Sequence, residues 1–299
     1  MKLPSGWYAI LEAREVQGKK PLHVKRFGLP LVAWRKSQGQ IVVMSDLCPH
    51  RRAKLSLGKI VEDEIECPFH GFRFGAKGAC QWIPEIEKAA PGISVASYPV
   101  VENHGLIWLH WRANEDTEVK PPWFTKVPKD LYSHQYSEIW PVHFTRSVEN
   151  QLDYAHLSFV HRTSIGRFFQ PTKKPFSELE KKGLKYYFNE SQKSFIEFLF
   201  PNIWLNHISS SYMITVAFAP IDEEHTKLYL QVHRSFVTWP PFSWLINLSD
   251  IIMNRWVLSQ DRRVVVSQEP GNTLEADEQL VGSDQFIRHF RKWLAGKTQ

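Results

Sequence analysis

Cysteine is scarce in this chain of 299 residues: there are three, Cys48, Cys67 and Cys80. That excludes a small scaffold held together by disulfides. The first residues, MKLPSGWYAI, lack a charged-then-apolar leader, so the expected location is the cytoplasm. Long apolar runs are also missing. The most apolar stretch, 239–256, is interrupted by Pro240, Pro241, Asn247, Asp250 and Asn254, and no transmembrane segment is expected. It reads as a buried or amphipathic helix after a proline turn, with peripheral membrane contact left open. There is no internal repeat and no low-complexity segment. Acidic residues fall short of basic ones, giving a net charge of +6 and a pI of about 9.1. The basic runs Lys173-Lys174 and Lys181-Lys182 are short and belong to no nucleic-acid motif. They read as solvated faces, with a secondary hint of an acidic redox partner.

What is abundant is aromatic: twelve Trp and nineteen Phe suit large cores or aromatic-lined pockets. The length allows two domains. In the first part, Leu31 to Arg35 and Ile41 to Met44 are apolar runs joined through Gly39, and Ser94 to Val101 and Leu106 to Trp111 repeat the pattern around Asn103-His104-Gly105. These predict an antiparallel all-β domain. The charged run RANEDTEVKPP, Arg112 to Pro122, marks a boundary, placed between 115 and 116. In the second part, helix is expected around Asn150 to His161, over Asp250 to Gln268 and over Ser283 to Leu294. Strand is expected over Phe195 to Leu205, Ser211 to Ala219 and Leu228 to Phe236. Strands and helices without regular alternation predict an α+β fold.

Two of the cysteines sit in the runs CPHRR from Cys48 and CPFHGFRF from Cys67. Cys48 and His50, then Cys67 and His70, have the spacings C-x-H and C-x-x-H. Two thiolates on one iron and two imidazoles on the other make a Rieske [2Fe–2S] cluster, an electron relay. Pro49 and Pro68 stiffen the loops, and Gly58 and Gly71 allow tight turning nearby. Zinc also takes two Cys and two His, but its sites usually pair like ligands, whereas each loop here mixes them. Cys80 reads as a small buried residue.

A second constellation lies in ENQLDYAHLSFVHR, Glu149 to Arg162. On a regular helix Asn150, Asp153 and His156 share one stripe, while His161 points away from His156. A metal shared by both histidines therefore demands a bent or broken helix. Two imidazoles and a carboxylate suit iron(II) and leave positions open for oxygen. Two helix histidines alone would more often be structural; beside a relay cluster they gain a purpose.

Together the two motifs resemble the catalytic α subunit of a Rieske non-haem iron oxygenase over nearly the whole chain. N-x-x-D-x-x-H-x-x-x-x-H is matched by Asn150, Asp153, His156 and His161. Arg52 departs from the resemblance, since glycine is frequent in that run. The resemblance implies a Rieske domain followed by a helix-grip (START-like) catalytic domain with an antiparallel sheet, one cluster and one mononuclear Fe(II) per subunit, and a homotrimer in which each cluster feeds the next subunit's iron. It implies His156, His161 and Asp261 as iron ligands, with Asp261 in WVLSQDRRVVVSQE and Asp250 as the reserve. A surface pair of Asp261 with Arg262 is the plain alternative. Asp153 is expected to accept the spare N–H of His156 and to reach His70 of a neighbouring subunit.

The implied activity is hydroxylation or oxidative demethylation of an aromatic or polycyclic substrate, with O2 and electrons from NAD(P)H. The glycines of GFRFGAKG, after His70, do not have dinucleotide spacing, so a separate reductase, with or without a ferredoxin, is expected. The segment around Asp261 resembles O-demethylase and pheophorbide-oxygenase-like members, without the C-terminal anchor of the latter. Alternatives are an aromatic-ring cis-dihydroxylating dioxygenase and a non-catalytic Rieske carrier or sensor. Phe198, Phe200, Trp204, Asn206 and His207 are candidates to line a pocket, or ordinary sheet core.

Overall fold

Short apolar runs such as LVAW, IVVM and LIWL, buried along their length and set off by turns, build the first unit as antiparallel sheets. In the computed structural model the described residues are 1–18, 20–113, 120–128, 131–168, 176–180, 182–188 and 193–296. The chain divides into two compact units, Ser5–Pro121 with Met1, and Pro122–Gln299 with Lys2–Pro4. The expected boundary at 115/116 lies outside the described residues, as do Lys173, Lys174 and Lys181.

In the first unit Leu29–Arg35 pairs with Ile41–Ser45 across a turn where Gly39 has φ 85°. A three-stranded sheet joins Gly6–Glu12, Leu106–Trp111 and Val100–Asn103. A five-stranded sheet runs Lys59–Val61, Glu64–Glu66, Arg73–Phe74, Ala79–Ile83, Lys88–Ser94 in sequence order. Trp34, Met44, Phe74, Cys48, Cys67 and Cys80 share one core, so the loops carrying the first two cysteines are seated on packed side chains.

The second unit is a seven-stranded antiparallel sheet. Its order is Tyr132–Trp140, Thr226–Arg234, Tyr212–Pro220, Ile203–Ser209, Phe195–Leu199, Gly183–Tyr187, Phe176–Glu180. Its helices are α1 (Phe144–Leu152), α2 (Leu157–Val160), α3 (Phe242–Val265) and α4 (Gln285–Leu294). The single strand expected over 195–205 is instead a hairpin: Phe195–Leu199 turns back at Phe200-Pro201-Asn202 and pairs antiparallel with Ile203–Ser209, Leu199 facing Ile203. Pro201, with no N–H for a ladder, suits the turn. Asn202, buried there, donates from Nδ2 to Phe218 O at 3.0 Å and ties the turn to the strand Tyr212–Pro220.

Helix α1 carries buried charge. Arg291 of α4 grips Glu149 through two bonds, Nε to Oε1 at 2.7 Å and Nη2 to Oε2 at 2.8 Å. Arg146 pairs with Glu278 at 2.6 Å, and Glu278 also meets Arg291 at 2.5 Å. This network pins α1 to α4 and its flank.

Helix α3 follows the proline turn, as the reading of 239–256 expects, with Pro241 at its N-cap, and runs without a break into the helix expected from Asp250. Its first half is not buried, contrary to one of the two sequence expectations. The cause is Arg234, fully buried at the end of its strand. Its guanidinium donates to Asn247 Oδ1 at 2.7 Å and Ser243 O at 3.0 Å, and lies 3.5 Å from Asp250 Oδ2. A buried cation must be paired. The helix therefore turns its polar residues inward and its apolar ones out.

Candidate metal centres

Two loops of the first unit are built to one pattern. Cys48 N–H donates to Ala53 O at 2.9 Å and Arg52 N–H to Cys48 O at 2.8 Å; Cys67 N–H donates to Phe72 O at 2.8 Å and Gly71 N–H to Cys67 O at 3.1 Å. The second residue of each is proline, whose fixed φ suits the turn. The fifth is left-handed in both, Arg52 at φ 61° and Gly71 at φ 70°. Asp46, fully buried, anchors the first loop: its carboxylate accepts from Ser56 N–H at 2.6 Å and from the Ser56 hydroxyl at 2.8 Å, and meets His23 Nδ1 at 2.6 Å.

Both cysteines are buried and both histidines exposed. The rings of His50 and His70 stand 4.6 Å apart, and His50 stacks on Phe72 at 4.9 Å. Burial pushes the Cys48 thiol up to about 11, and neighbouring Cys67 adds to the rise. Such sulfurs become thiolates when a cation takes up their charge. Two inner sulfurs and two outer imidazoles fit a [2Fe–2S] cluster whose histidine-bound side faces solvent.

The second centre depends on a broken helix. Helix α1 ends because Asp153 leaves helical backbone, at φ −83° and ψ 110°. Its Oδ1 accepts from Ala155 N–H at 2.8 Å and His156 N–H at 3.4 Å, a side-chain turn that starts the next segment. Trp204 Nε1 donates to Gln151 O at 3.2 Å and satisfies a carbonyl at the helix end. Helix α2 follows, with His156 before it and His161 after it, and the two rings are brought to 5.3 Å. Gly166 is needed for this packing: a Cβ there would lie 2.0 Å from Leu157 O and 2.7 Å from the His161 carbonyl carbon.

Asp261 arrives from α3. Its Oδ1 lies 2.9 Å from His161 Nε2 and 3.3 Å from His156 Nε2. One ligand atom from each of the three residues lies within 4.8 Å of the others. Neither contact has hydrogen-bond geometry, and Asp261 Oδ1 is buried without a hydrogen-bond partner. Burial acts to raise the Asp261 carboxyl, but the two imidazoles overcome it and hold it below the usual carboxylate range. Burial likewise acts to lower His161, and Asp261 more than offsets it, so that its pKa is raised. Two imidazole nitrogens and a carboxylate oxygen that converge on one point fit a divalent cation of the iron type.

One neighbour of this centre escaped the sequence reading. His161 donates from Nδ1 to Gln260 Oε1 at 2.8 Å, which also accepts from the Ser164 hydroxyl at 2.8 Å. Gln260 Nε2 reaches Thr163 Oγ1 at 3.3 Å. With its Nδ1 proton so engaged, His161 presents Nε2 as the atom that a metal would take. Asp153 does not play the equivalent part for His156 in this structure: its Oδ2 stands 3.8 Å from Nδ1, which is buried without a hydrogen-bond partner. The Asn150 side-chain nitrogen is also buried without one.

Asp250 is not part of the cluster. It accepts from the Tyr212 hydroxyl at 2.9 Å and balances Arg234. Phe198 and Phe200, candidate pocket residues, pack into core against α4 instead, Phe200 stacking on Trp293 at 4.6 Å and Phe198 meeting Phe290 edge-on at 5.8 Å. His207 stacks on Phe195 at 4.4 Å.

Residues 6–99 match the family of Rieske [2Fe–2S] domains. The chain is 32% identical to the toluene-4-sulfonate monooxygenase system iron-sulfur subunit TsaM1 of Comamonas testosteroni, over 59% of this chain and 52% of that protein. It spans about half the length of the toluenesulfonate relatives it matches. It is 28% identical to the methylxanthine N1-demethylase NdmA of Pseudomonas putida, over 96% of this chain and 87% of the demethylase. The solved structure of that demethylase with caffeine superposes with a TM-score of 0.81 at 26% identity, covering 97% of this chain and 89% of the other.

Proposed function

We propose that this chain, a relative of the Rieske oxygenase catalytic subunits, is the oxygenase component of a multicomponent system that hydroxylates or oxidatively demethylates an aromatic or polycyclic substrate. The observation that carries the reading is the presence in one chain of two donor sets with complementary chemistry. Cys48, His50, Cys67 and His70 would hold the cluster; His156, His161 and Asp261 would hold the mononuclear iron. Bound there, the two groups supply one-electron relay and activation of O2 beside the substrate.

The protein's own residues do the positioning. Gln260 fixes the tautomer of His161. The Asp153 turn aims His156 at the same point as His161. Asp261, kept anionic by the imidazoles, supplies the negative charge that a divalent ion needs. The unpartnered Asn150 nitrogen and His156 Nδ1 are polar groups left for a substrate or for a neighbouring subunit to engage. Residues 1–115 form the electron-relay domain and 116–299 the catalytic domain in this reading. A homotrimer would let Asp153 meet His70 of the next subunit, and a separate NAD(P)H-dependent reductase, directly or through a ferredoxin, would supply electrons.

Demethylation is favoured over ring dihydroxylation because the likeness to the methylxanthine demethylase runs through both units. Iron analysis is the first test. Three irons per chain fit the oxygenase, and two would leave an electron carrier. The second is substrate-dependent O2 uptake with a surrogate reductase, across methoxyaromatics, sterols, tetrapyrroles and N-methylated heterocycles. Formaldehyde release from methylated substrates distinguishes demethylation, and no acceleration by any of them would sink the reading. Asp153→Asn, which keeps the side-chain oxygen that turns the chain and removes its charge, is expected to leave both metals bound and slow single-turnover reduction of the mononuclear iron at least about tenfold, the scale of a lost supporting residue. An unchanged rate would remove Asp153 from the electron path.

A further inference from the structure

The first half of α3 is inverted. Trp244, Leu248, Ile252 and Trp256 stand at four-residue steps and form one exposed stripe, with Trp244 62% and Ile252 61% exposed. Phe242 extends it to the turn before the helix, where Trp239 is 59% exposed and meets the Phe242 ring edge-on at 4.7 Å. Ser243, Asn247 and Asp250 take the inward side, held by Arg234. An apolar surface of this extent is unusual on a protein that meets only water.

Two further features say what covers it. The backbone that begins the helix has few polar groups to leave bare. Pro240 and Pro241 have no N–H, while Ser243 N–H donates to Trp239 O at 3.1 Å, Trp244 N–H to Pro241 O at 3.1 Å and Leu245 N–H to Pro241 O at 3.4 Å. Asn254 likewise turns its amide back onto Asp250 O at 2.8 Å. Self-satisfied polar groups suit hydrocarbon, which offers no partners, better than they suit a polar protein surface. The second feature is charge. Every exposed charged residue of α3 is basic: Arg255, Arg262 and Arg263. The acids of the helix, Asp250 and Asp261, are turned inward on Arg234 and on the two histidines. Apolar and Trp-rich at one end, arginine-edged at the other, the face complements anionic headgroups over a hydrocarbon layer.

We propose that the Trp239 turn and the first half of α3 form a membrane-surface contact for anionic lipid, lying in the interface without crossing it. No helix among the described residues is long and apolar enough to cross a membrane. The tryptophans and Phe242 enter the headgroup–acyl boundary, and the arginines stay at phosphate level.

The test is flotation of the full-length, metal-loaded protein with vesicles of phosphatidylcholine alone or mixed with phosphatidylserine. Binding is expected to the mixed vesicles, to weaken with salt, and to be accompanied by a blue shift of tryptophan emission and quenching by brominated lipid. Trp244→Ser with Ile252→Ser should lower vesicle affinity at least about tenfold while iron content and thermal unfolding stay as in the wild type. Arg255→Glu with Arg263→Glu should remove the preference for phosphatidylserine. The proposal is overturned if the wild type fails to float with either vesicle, or if the Trp244/Ile252 variant floats equally well. It is also overturned if that variant instead breaks a self-association seen by sedimentation in a wild type that ignores lipid, which would assign the face to a second copy of the chain.

Discussion

Gln260 and Arg52 show how much one side chain settles. Gln260 sits beside Asp261 in the chain, yet it acts on His161, 99 residues away. Gln260→Leu keeps the volume and removes the acceptor. Its expected result is a loss of about 10- to 100-fold in affinity for the mononuclear iron, with the spectrum of the Rieske cluster unchanged; iron titration followed by spectroscopy reads both. Arg52 occupies the position that Gly71 fills in the equivalent loop, and both are left-handed. A residue with a Cβ carries a penalty there that glycine escapes. Arg52→Gly should therefore stabilise the cluster loop by up to about 1 kcal/mol, seen as slower loss of cluster absorbance on heating. The departure at Arg52 was visible in the sequence. Its meaning, a shared loop pattern, was not, because the two histidines sit at different places in the two loops and hide the repeat.

At the scale of elements, polar residues inside helices decided what was legible. The hairpin through Gly39 could be read from two apolar runs joined by a polar turn, and the late strands from strand-like runs on either side of a polar loop. The break in the helix before His156 could be read as a geometric demand, and Asp153 meets it by turning the chain. The direction in which α3 faces could not be read. Its pattern permits either side to be inward until Arg234, nine residues before its first contact in that helix, claims Ser243. Asp261 was within reach of sequence reasoning only through resemblance, since nothing local separates a ligand from a surface carboxylate. The clamp between α1 and α4 is testable by pH. Burial acts to raise the Glu278 carboxyl, but Arg291 and Arg146 hold it below its ordinary value. A depressed carboxyl stabilises the fold fully above its unfolded pKa, and that contribution is lost as pH falls through the lower folded one. Glu278→Gln should cost about 1 kcal/mol near neutrality, and the gap from wild type in urea unfolding should close below about pH 4. Arg291→Ala is more severe, because it strands the buried Glu149 carboxylate; a loss of about 3–5 kcal/mol is expected.

For the whole molecule, the two units divide the chemistry. One presents a pair of loops on a packed β core, with sulfurs inside and imidazoles outside. The other brings His156, His161 and Asp261 together from segments about 100 residues apart and fixes them with a clamped α1 and a long α3. A mononuclear ion there would tie α3 to the α1–α2 break, so its removal should raise amide exchange around His156, His161 and Asp261 while leaving the sheet protected.

The burial of Cys48 beside Cys67 also bears on how the protein ages. While iron is held, the sulfurs are ligands and out of reach of oxidants. Once iron is lost, two neighbouring thiols remain, and dissolved O2 can take up their two electrons and two protons as a disulfide forms between them. That bond would block refilling of the site until a reductant opened it. Cys80, whose thiol donates to Trp82 O at 3.6 Å, is the third thiol and is left over when the other two pair. Aerobically aged cluster-free protein should then show one titratable thiol after denaturation, against three before ageing, with dithiothreitol restoring both the count and the capacity to take up a cluster. Loss of activity on storage would be a thiol-reversible state and not an end point.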